Sequence, residues 1–293
     1  MDLAQVAARL LQYAAASAVG GTALYFVYGW RPTSRRWPGR LVRWGAGLGV
    51  IATAGWLVAK TAELADTPAG AFDPAMLWAV AGGTEFGRAA LVRLGLFAVA
   101  LMVSLVRRDA WRPLAWLGLA AAASFAWTGH GASDEGTAGL IHLGADALHA
   151  VSAAVWLGGL AALTGVLVDT RRTATEAADA LDAFSRVGVA VVLTVLATGL
   201  VNSWFLVGLP GLGGLLTTRY GLALTIKIGL FGAMLILAGQ NRWRHTPRLR
   251  TALAQPGDAI AETAVSVVIE ALAALVILGL VAWLGTLPPL AHG

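Results

Sequence analysis

The sequence predicts an all-α integral membrane protein, a bundle of eight transmembrane helices. Hydrophobic residues make up 58% of its 293 residues, charged residues only 13%, and the mean hydropathy is +0.72. A soluble domain carries about 25% charged residues. The 36 glycines suit the close helix–helix approach that occurs in lipid. This composition excludes a soluble enzyme or a soluble binding domain, and it makes the lipid bilayer the first expected partner.

Eight segments are long and apolar enough to cross the hydrocarbon core, which takes roughly 20 apolar residues in a helix. They cover approximately residues 7–29, 42–62, 87–106, 112–129, 140–168, 186–207, 220–240 and 263–285. The fifth is longer than one crossing requires, so its first turns project beyond the bilayer or the helix tilts. No soluble domain is evident between the segments, and residues 1–293 are predicted to form a single membrane domain.

The arginines and lysines predict the orientation of the bundle. Fifteen of the 21 basic residues lie in the connections after the first, third, fifth and seventh segments. Basic loops stay in the cytoplasm, so both termini are expected to face outward. Topology thereby explains the net charge of +5, and no nucleic-acid partner is expected. The cytoplasmic connections 169–186 and 241–262 are expected to be short links, and Asp73-Pro74 predicts a short interfacial helix on the outer side.

Three polar residues interrupt the apolar fifth segment, namely His142, Asp146 and His149. Their spacings of four, three and seven residues place them on one stripe of a helix. Such side chains are costly in a bilayer, so the cluster indicates a function. Imidazole suits copper and zinc, and a nearby carboxylate either orients it or binds the metal itself. The alternative is that the histidines lie at the membrane interface as amphipathic side chains.

The spacing limits how these residues share a metal ion. His142 and His149 lie two turns apart, roughly 10 Å along the axis, so one ion cannot easily bind both at about 2 Å. We predict an inner site of His149 with Asp146, and an outer site of His142 with His130 from the preceding loop. Met76, in the outer interfacial segment, is the one methionine expected near these histidines. The chain has no cysteine, which excludes thiolate sites.

Four further polar or aromatic residues of interest lie within predicted spans: Trp156, Asn202, Lys227 and Glu270. Lys227 and Glu270 either form an internal ion pair or belong to a proton or cation relay. Asn202 is expected to hydrogen-bond between helices, and Trp156 either closes the inner end of the site or serves packing. Arg93, near the start of the third segment, is expected to snorkel to the interface.

Short motifs of the second half of the chain occur in a characteristic order. They are Asp146 with His149-x6-Trp156-x-Gly158-Gly159-Leu160, Phe184-Ser185-Arg186, Thr198-Gly199, Arg219-Tyr220-Gly221 followed by Lys227, Asn241-Arg242 with Pro247, Ser266-x3-Glu270-Ala271, and Pro288-Pro289. In these motifs the chain resembles the copper resistance protein D (CopD/PcoD) family. The resemblance is strongest over residues 142–293, and the first half adds Thr84-Glu85-Phe86-Gly87 and its span layout.

The resemblance implies a copper-handling protein of the bacterial inner (cytoplasmic) membrane, so both termini would be periplasmic. It implies copper uptake from periplasm to cytoplasm in copper resistance or homeostasis, with a separate periplasmic CopC-type copper chaperone as a partner. The bound species would be a copper ion, in an oxidation state that the sequence leaves open. No nucleotide-binding motif is present, so transport would be passive or driven by an ion gradient. Enzymatic activity is not expected.

Two alternatives stay open at this point. One is a membrane redox protein with haem b or copper, although haem ligands usually come from facing helices and these histidines cluster at the outer edge. The other is a non-transporting scaffold or sensor that receives copper.

Overall fold

The computed structural model describes residues 3–29, 36–67, 69–107, 109–129, 136–169, 173–251 and 256–292, and within these ranges it is all-helical. The α-helices are α1 (Leu3–Ala16), α2 (Thr22–Tyr28), α3 (Arg36–Leu64), α4 (Pro74–Gly83), α5 (Glu85–Val106), α6 (Trp111–Ala123), α7 (Gly136–Leu167), α8 (Ala174–Leu206), α9 (Arg219–Gln240), α10 (Thr246–Thr251) and α11 (Pro256–Leu284). A π-helical turn, Ser17–Gly21, joins α1 to α2, and another, Asn241–His245, joins α9 to α10.

Seven helices within the described ranges are long and apolar enough to cross a membrane. The all-helical membrane fold is therefore confirmed. The predicted fourth span is divided into α6 and a 3₁₀ helix, Ser124–Thr128. Thirteen α-helical and five 3₁₀ residues rise about 30 Å together, close to the thickness of the hydrocarbon core. The count of eight spans and the outward termini stay predictions.

Local capping explains where several helices begin. The Asp73 side chain accepts a hydrogen bond from the Ala75 amide at 2.9 Å, and Pro74 follows at the first helical position. This confirms the short helix predicted there, α4. Thr84 caps α5 by accepting from the Gly87 amide at 2.9 Å. Each cap satisfies an amide that has no partner within its helix.

Helix continues through most of both connections that were expected to be short links, residues 169–186 and 241–262. Helix α8 begins at Ala174, where Thr173 and Glu176 form a reciprocal capping box. Helix α9 runs through its π-helical turn into α10. The exposed Arg250 of α10 forms ion pairs with Asp179 and Asp182 of α8. These charged extensions stay helical because the caps and cross-helix pairs support them outside the apolar core.

Glycines set the contact between the first spans and α7. A Cβ atom at Gly21 would lie 2.9 Å from the Gly158 Cα atom, so the two backbones touch. The Thr22 hydroxyl donates a hydrogen bond to the Gly158 carbonyl at 3.0 Å. Small residues permit this approach in lipid, where packing rather than water exclusion holds helices together. Helix α7 is thereby fixed against the first spans on one side, and it packs against α8 on another.

Candidate functional site

The polar stripe of α7 faces a matching stripe on α8. Three pairs join the two helices across their interface: His142 with Phe205, Asp146 with Asn202, and His149 with Thr198. Steps of four and then three residues along α7 are matched by steps of three and then four residues backward along α8. The two helices are therefore antiparallel, and the predicted stripe lies in their interface rather than toward lipid.

Hydrogen bonds define how His149 is oriented. Its Nδ1 atom lies 2.9 Å from the Thr198 hydroxyl oxygen. The Thr198 hydroxyl donates its proton to the Thr194 carbonyl at 2.6 Å. A hydroxyl has one proton to donate, so Nδ1 of His149 is the donor in the pair with Thr198. The Nε2 atom then carries the lone pair, which is the form in which imidazole binds a metal.

Asp146 lies between two parts of the chain that are distant in sequence. The Asn202 amide donates a hydrogen bond to its Oδ1 atom at 3.3 Å. On the other side a Cβ atom at Gly129 would lie 3.1 Å from its Oδ2 atom, so a glycine lets the backbone approach the carboxylate there. The Oδ1 atom of Asn202 is buried without a hydrogen-bond partner. The carboxylate and this free amide oxygen are both available to a cation.

Lys227 extends the site to α9. Its side chain is within electrostatic range of both Asp146 and His149. Tyr220, two turns earlier on α9, is also within electrostatic range of Asp146. A carboxyl, an imidazole and an amine group therefore share one polar region of the bundle. We call this region, made of Asp146, His149, Asn202 and Lys227, the α7 site.

Lys227 and Glu270 do not form the ion pair that was one of two predictions for them. The two carboxylate oxygens of Glu270 accept hydrogen bonds from Trp156 Nε1 and Asn241 Nδ2, each at 3.0 Å. Lys227 precedes Asn241 by fourteen residues on a continuous helix, about 21 Å along the axis. That distance exceeds the reach of a lysine side chain. The two groups lie at different depths in the bundle, because Glu270 bonds to Trp156 of α7 and Lys227 lies near Asp146 and His149 of the same helix.

Other predicted ligands are placed less favourably. His142 is buried and stacks on Phe205 with ring centroids 4.5 Å apart, while His130 lies outside the described residues. Met76 lies on α4, whose packing partners are α3 and α5, and this packing gives no support to a place beside α7. Across the described ranges, no three histidine, aspartate or glutamate side chains come together as a metal cage. The spacing argument against one ion shared by His142 and His149 agrees with this arrangement.

The interpretation of Arg93 as an interfacial residue was wrong. Its side chain is only 1% exposed, and its guanidinium group lies 4.1 Å from the centre of the Phe125 ring. It donates to Gln12 Oε1 at 2.8 Å, to the Ser124 hydroxyl and carbonyl at 2.9 and 2.8 Å, and to the Thr128 hydroxyl at 3.2 Å. These neutral acceptors hold the cation inside the bundle. They also fix the 3₁₀ helix that leads to Gly129 beside Asp146.

Sequence reasoning missed the roles of Thr198 and Phe205, although a signal for them exists. Together with Asn202 they repeat the spacing of four and three residues found on α7, in the next predicted span. Two antiparallel helices with the same spacing can pair along their lengths. That comparison identifies both residues. No comparable local signal identifies Arg93, because its acceptors are far away in the chain.

Two family models match the chain. The description "Copper resistance protein D-like, N-terminal domain" applies to residues 1–140, and "Copper resistance protein D" to residues 178–284. No solved structure matches significantly.

Three related proteins of known name also match the chain. The chain is 34% identical to Inner membrane protein YebZ of Escherichia coli K12 over 59% of its own length and 60% of that protein, so it spans less than two thirds of this relative. It is 38% identical to Copper transport protein CutJ of Bacillus subtilis 168 over 38% of its length and only 20% of that protein. With Copper resistance protein D of Pseudomonas syringae pv. tomato it shares 37% identity over 216 residues, 70% of this chain and 69% of that protein. The chain therefore belongs to the copper resistance protein D family of multi-pass membrane proteins.

Proposed function

We propose that this protein carries copper ions across the bacterial inner membrane, from the periplasm to the cytoplasm, and that the α7 site is its entrance. The family is one of copper resistance proteins, one relative is named an inner membrane protein and another a copper transport protein. The observation that carries the proposal is the orientation of His149. Thr198 holds its Nδ1 proton, so its Nε2 atom is left free as a ligand.

Copper is the substrate in this proposal, and the α7 site supplies ligands that suit it. Imidazole nitrogen binds copper well, and carboxylate and amide oxygens complete the set for the cupric ion. Asp146 and the unpaired Oδ1 atom of Asn202 supply such oxygens beside His149. His142, with His130 ahead of it, would form an outer step that receives copper. A separate periplasmic CopC-type chaperone would deliver the ion there.

Lys227 can compensate the negative charge of Asp146 when no copper ion is bound. It acts on Asp146 and His149 and has no hydrogen bond or ion pair within the described part of the chain. An ammonium group near a carboxylate compensates its charge in the low dielectric of a membrane. A copper ion at Asp146 would repel this ammonium group. Arrival of copper would therefore displace Lys227, and departure of copper would restore it.

Transport fits the arrangement better than redox chemistry with haem. A haem b centre takes its axial ligands from facing helices. His142 and His149 share α7, and the residues that face them across the interface are Phe205 and Thr198. No enzymatic step is required of the site, and movement of the ion would be passive or driven by a gradient.

The test compares copper uptake by cells and by liposomes that contain the purified protein. The variant His149→Ala is expected to lose copper uptake. The control Arg88→Met changes an exposed residue of α5, outside the α7 site, and is expected to take up copper like the wild type. Equal uptake by His149→Ala and wild type would remove the basis of the proposal. Copper binding without flux in the wild type would show a receiving scaffold instead of a transporter.

A further inference from the structure

Glu270 is a buried acid that the α7 site does not use. Its side chain is 1% exposed, and it accepts hydrogen bonds from the neutral groups of Trp156 and Asn241 at 3.0 Å. Trp156 follows Asp146 by ten residues on α7, about 15 Å along the axis. The two acids therefore lie at separate depths in the bundle, with separate partners.

Charged groups on the neighbouring elements lie at other levels. Arg9 of α1 lies against Gly285, fifteen residues beyond Glu270, and Lys227 of α9 lies beside the α7 site. Arg248 of α10 pairs with Glu262 two turns earlier on α11. The charged residues Asp179 and Asp182 of α8 pair with Arg250. Arg242, next to Asn241, donates to the Ser185 carbonyl, and Arg244 of the same turn is exposed. None of the described cations forms a hydrogen bond or ion pair with Glu270, and an uncompensated ion is costly in apolar surroundings.

Asn241 can serve Glu270 in both of its protonation states. Its Nδ2 atom donates to the carboxylate, while its own Oδ1 atom is buried without a partner. Rotation of the amide by half a turn would present Oδ1 to a protonated carboxyl group, which donates instead of accepting. The same residue then satisfies the acid with or without its proton.

A line of hydroxyl groups leads from Glu270 to the cytoplasmic end of α11. Ser266 precedes Glu270 by four residues and Thr263 precedes Ser266 by three, so the three share a face of the helix. Thr263 is fully buried, and the buried Ser266 hydroxyl has no partner. The Thr263 hydroxyl lies 3.5 Å from Nδ1 of His245, which is half-buried in the arginine-rich turn. We call Glu270, Ser266, Thr263 and His245 the polar track.

We propose that Glu270 is a proton-binding site and that the polar track connects it to the cytoplasmic surface. Glu270 releases its proton as H⁺ and keeps the electron pair of the O–H bond as a carboxylate. The hydroxyl groups and a bridging water pass the proton to His245, and the reverse path reloads Glu270. Buried hydroxyls commonly bond through such waters.

The track has a consequence for copper movement, and this step rests on the proposed function. A proton site at one depth and a copper site at another, both on α7, allow a proton gradient to drive the ion. The closing experiment contains no copper, so failure of copper transport would leave the proton site standing.

The test measures the carbonyl stretch of protonated carboxylic acids by infrared spectroscopy of the purified full-length protein during a pH titration. Besides the bands of the exposed acids, a component from a buried acid is expected to titrate with pH in the wild type, to be lost in Glu270→Gln, and to be retained in the exposed control Glu262→Gln. Asn241→Leu is expected to shift its frequency, because the hydrogen-bond partner is gone. After a pH jump the band should respond more slowly in Ser266→Ala than in wild type.

Each result decides the proposal. Absence of a titrating band in the wild type, which needs no variant to fold, would overturn it. Persistence of the whole band in Glu270→Gln would assign the proton to another group and would also overturn it. An unshifted band in Asn241→Leu or an unchanged rate in Ser266→Ala would refute the assigned partner or the track.

Discussion

Replacing Thr198 by valine tests whether the hydrogen bond to His149 prepares it for copper. Valine has nearly the shape of threonine, so the change removes one hydroxyl and little packing. Nδ1 of His149 then loses its partner at 2.9 Å. Without the Thr198 hydroxyl, the proton is held less firmly on Nδ1, and Nε2 is a ligand for a smaller fraction of the time.

The size of the effect follows from the same geometry. One net hydrogen bond contributes about 1 kcal/mol, and loss of a partner behind a metal-binding histidine typically weakens binding about 10- to 100-fold. Because the lost bond joins two neutral groups, the lower end applies. We expect copper to bind Thr198→Val about tenfold more weakly, which corresponds to about 1.4 kcal/mol.

The assay is competition between the purified protein and a chromophoric copper chelator, with thermal unfolding measured in parallel. Thr194→Val is the matched control: this residue lies one turn away on α8, is partly buried, and its hydroxyl bonds to the Ala190 carbonyl at 2.8 Å. The control is expected to bind copper like the wild type. Unchanged affinity in Thr198→Val, or an equal loss in Thr194→Val, would refute the assigned role of the Thr198 hydroxyl.

Two further predictions concern the packing that holds the site in place. Arg93→Met removes four hydrogen bonds to buried acceptors and should lower the unfolding midpoint in detergent, since each acceptor left without a partner costs about 1–3 kcal/mol. The control Arg88→Met changes an exposed residue and should leave the midpoint unchanged. An equal fall of the midpoint in both variants would contradict the role of Arg93. Gly158→Ala should also lower the midpoint, because its Cβ would lie 2.6 Å from the Gly21 backbone carbon. Overpacking of this kind lowers the free energy of unfolding by about 1–3 kcal/mol. Gly229→Ala, whose Cβ enters open space, is the control, and similar midpoints for the two alanine variants would exclude the packing argument.

The membrane fold was predictable because it depends on composition and on the length of apolar runs. The predicted fifth span, 140–168, agrees with α7, Gly136–Leu167, to within a few residues. The extension of α8 back to Ala174 was not predicted, because this part of the helix carries charged residues and does not resemble a membrane span. Its signal was present in the sequence as Thr173 followed three residues later by Glu176, a capping pair.

The candidate site was predictable only as far as a single helix determines it. The spacing of His142, Asp146 and His149 placed them on one stripe, and the structure has them there. Which residues face that stripe depends on the register between helices, and no local pattern specifies that register. The burial of Arg93 shows the same limit, since its acceptor Gln12 lies 81 residues away. Spacing within a helix predicts which residues share one face, whereas the packing between helices determines which residues contact that face.

Helix α7 lies mostly between the two segments that the family models match, residues 1–140 and 178–284. Its Asp146 touches Gly129 from the first segment and Asn202 from the second. The carboxyl group of Asp146 therefore has neighbours from both halves of the molecule, and a movement of either half would alter the space around it. In the proposed function, copper bound at Asp146 would respond to the separation of the two halves.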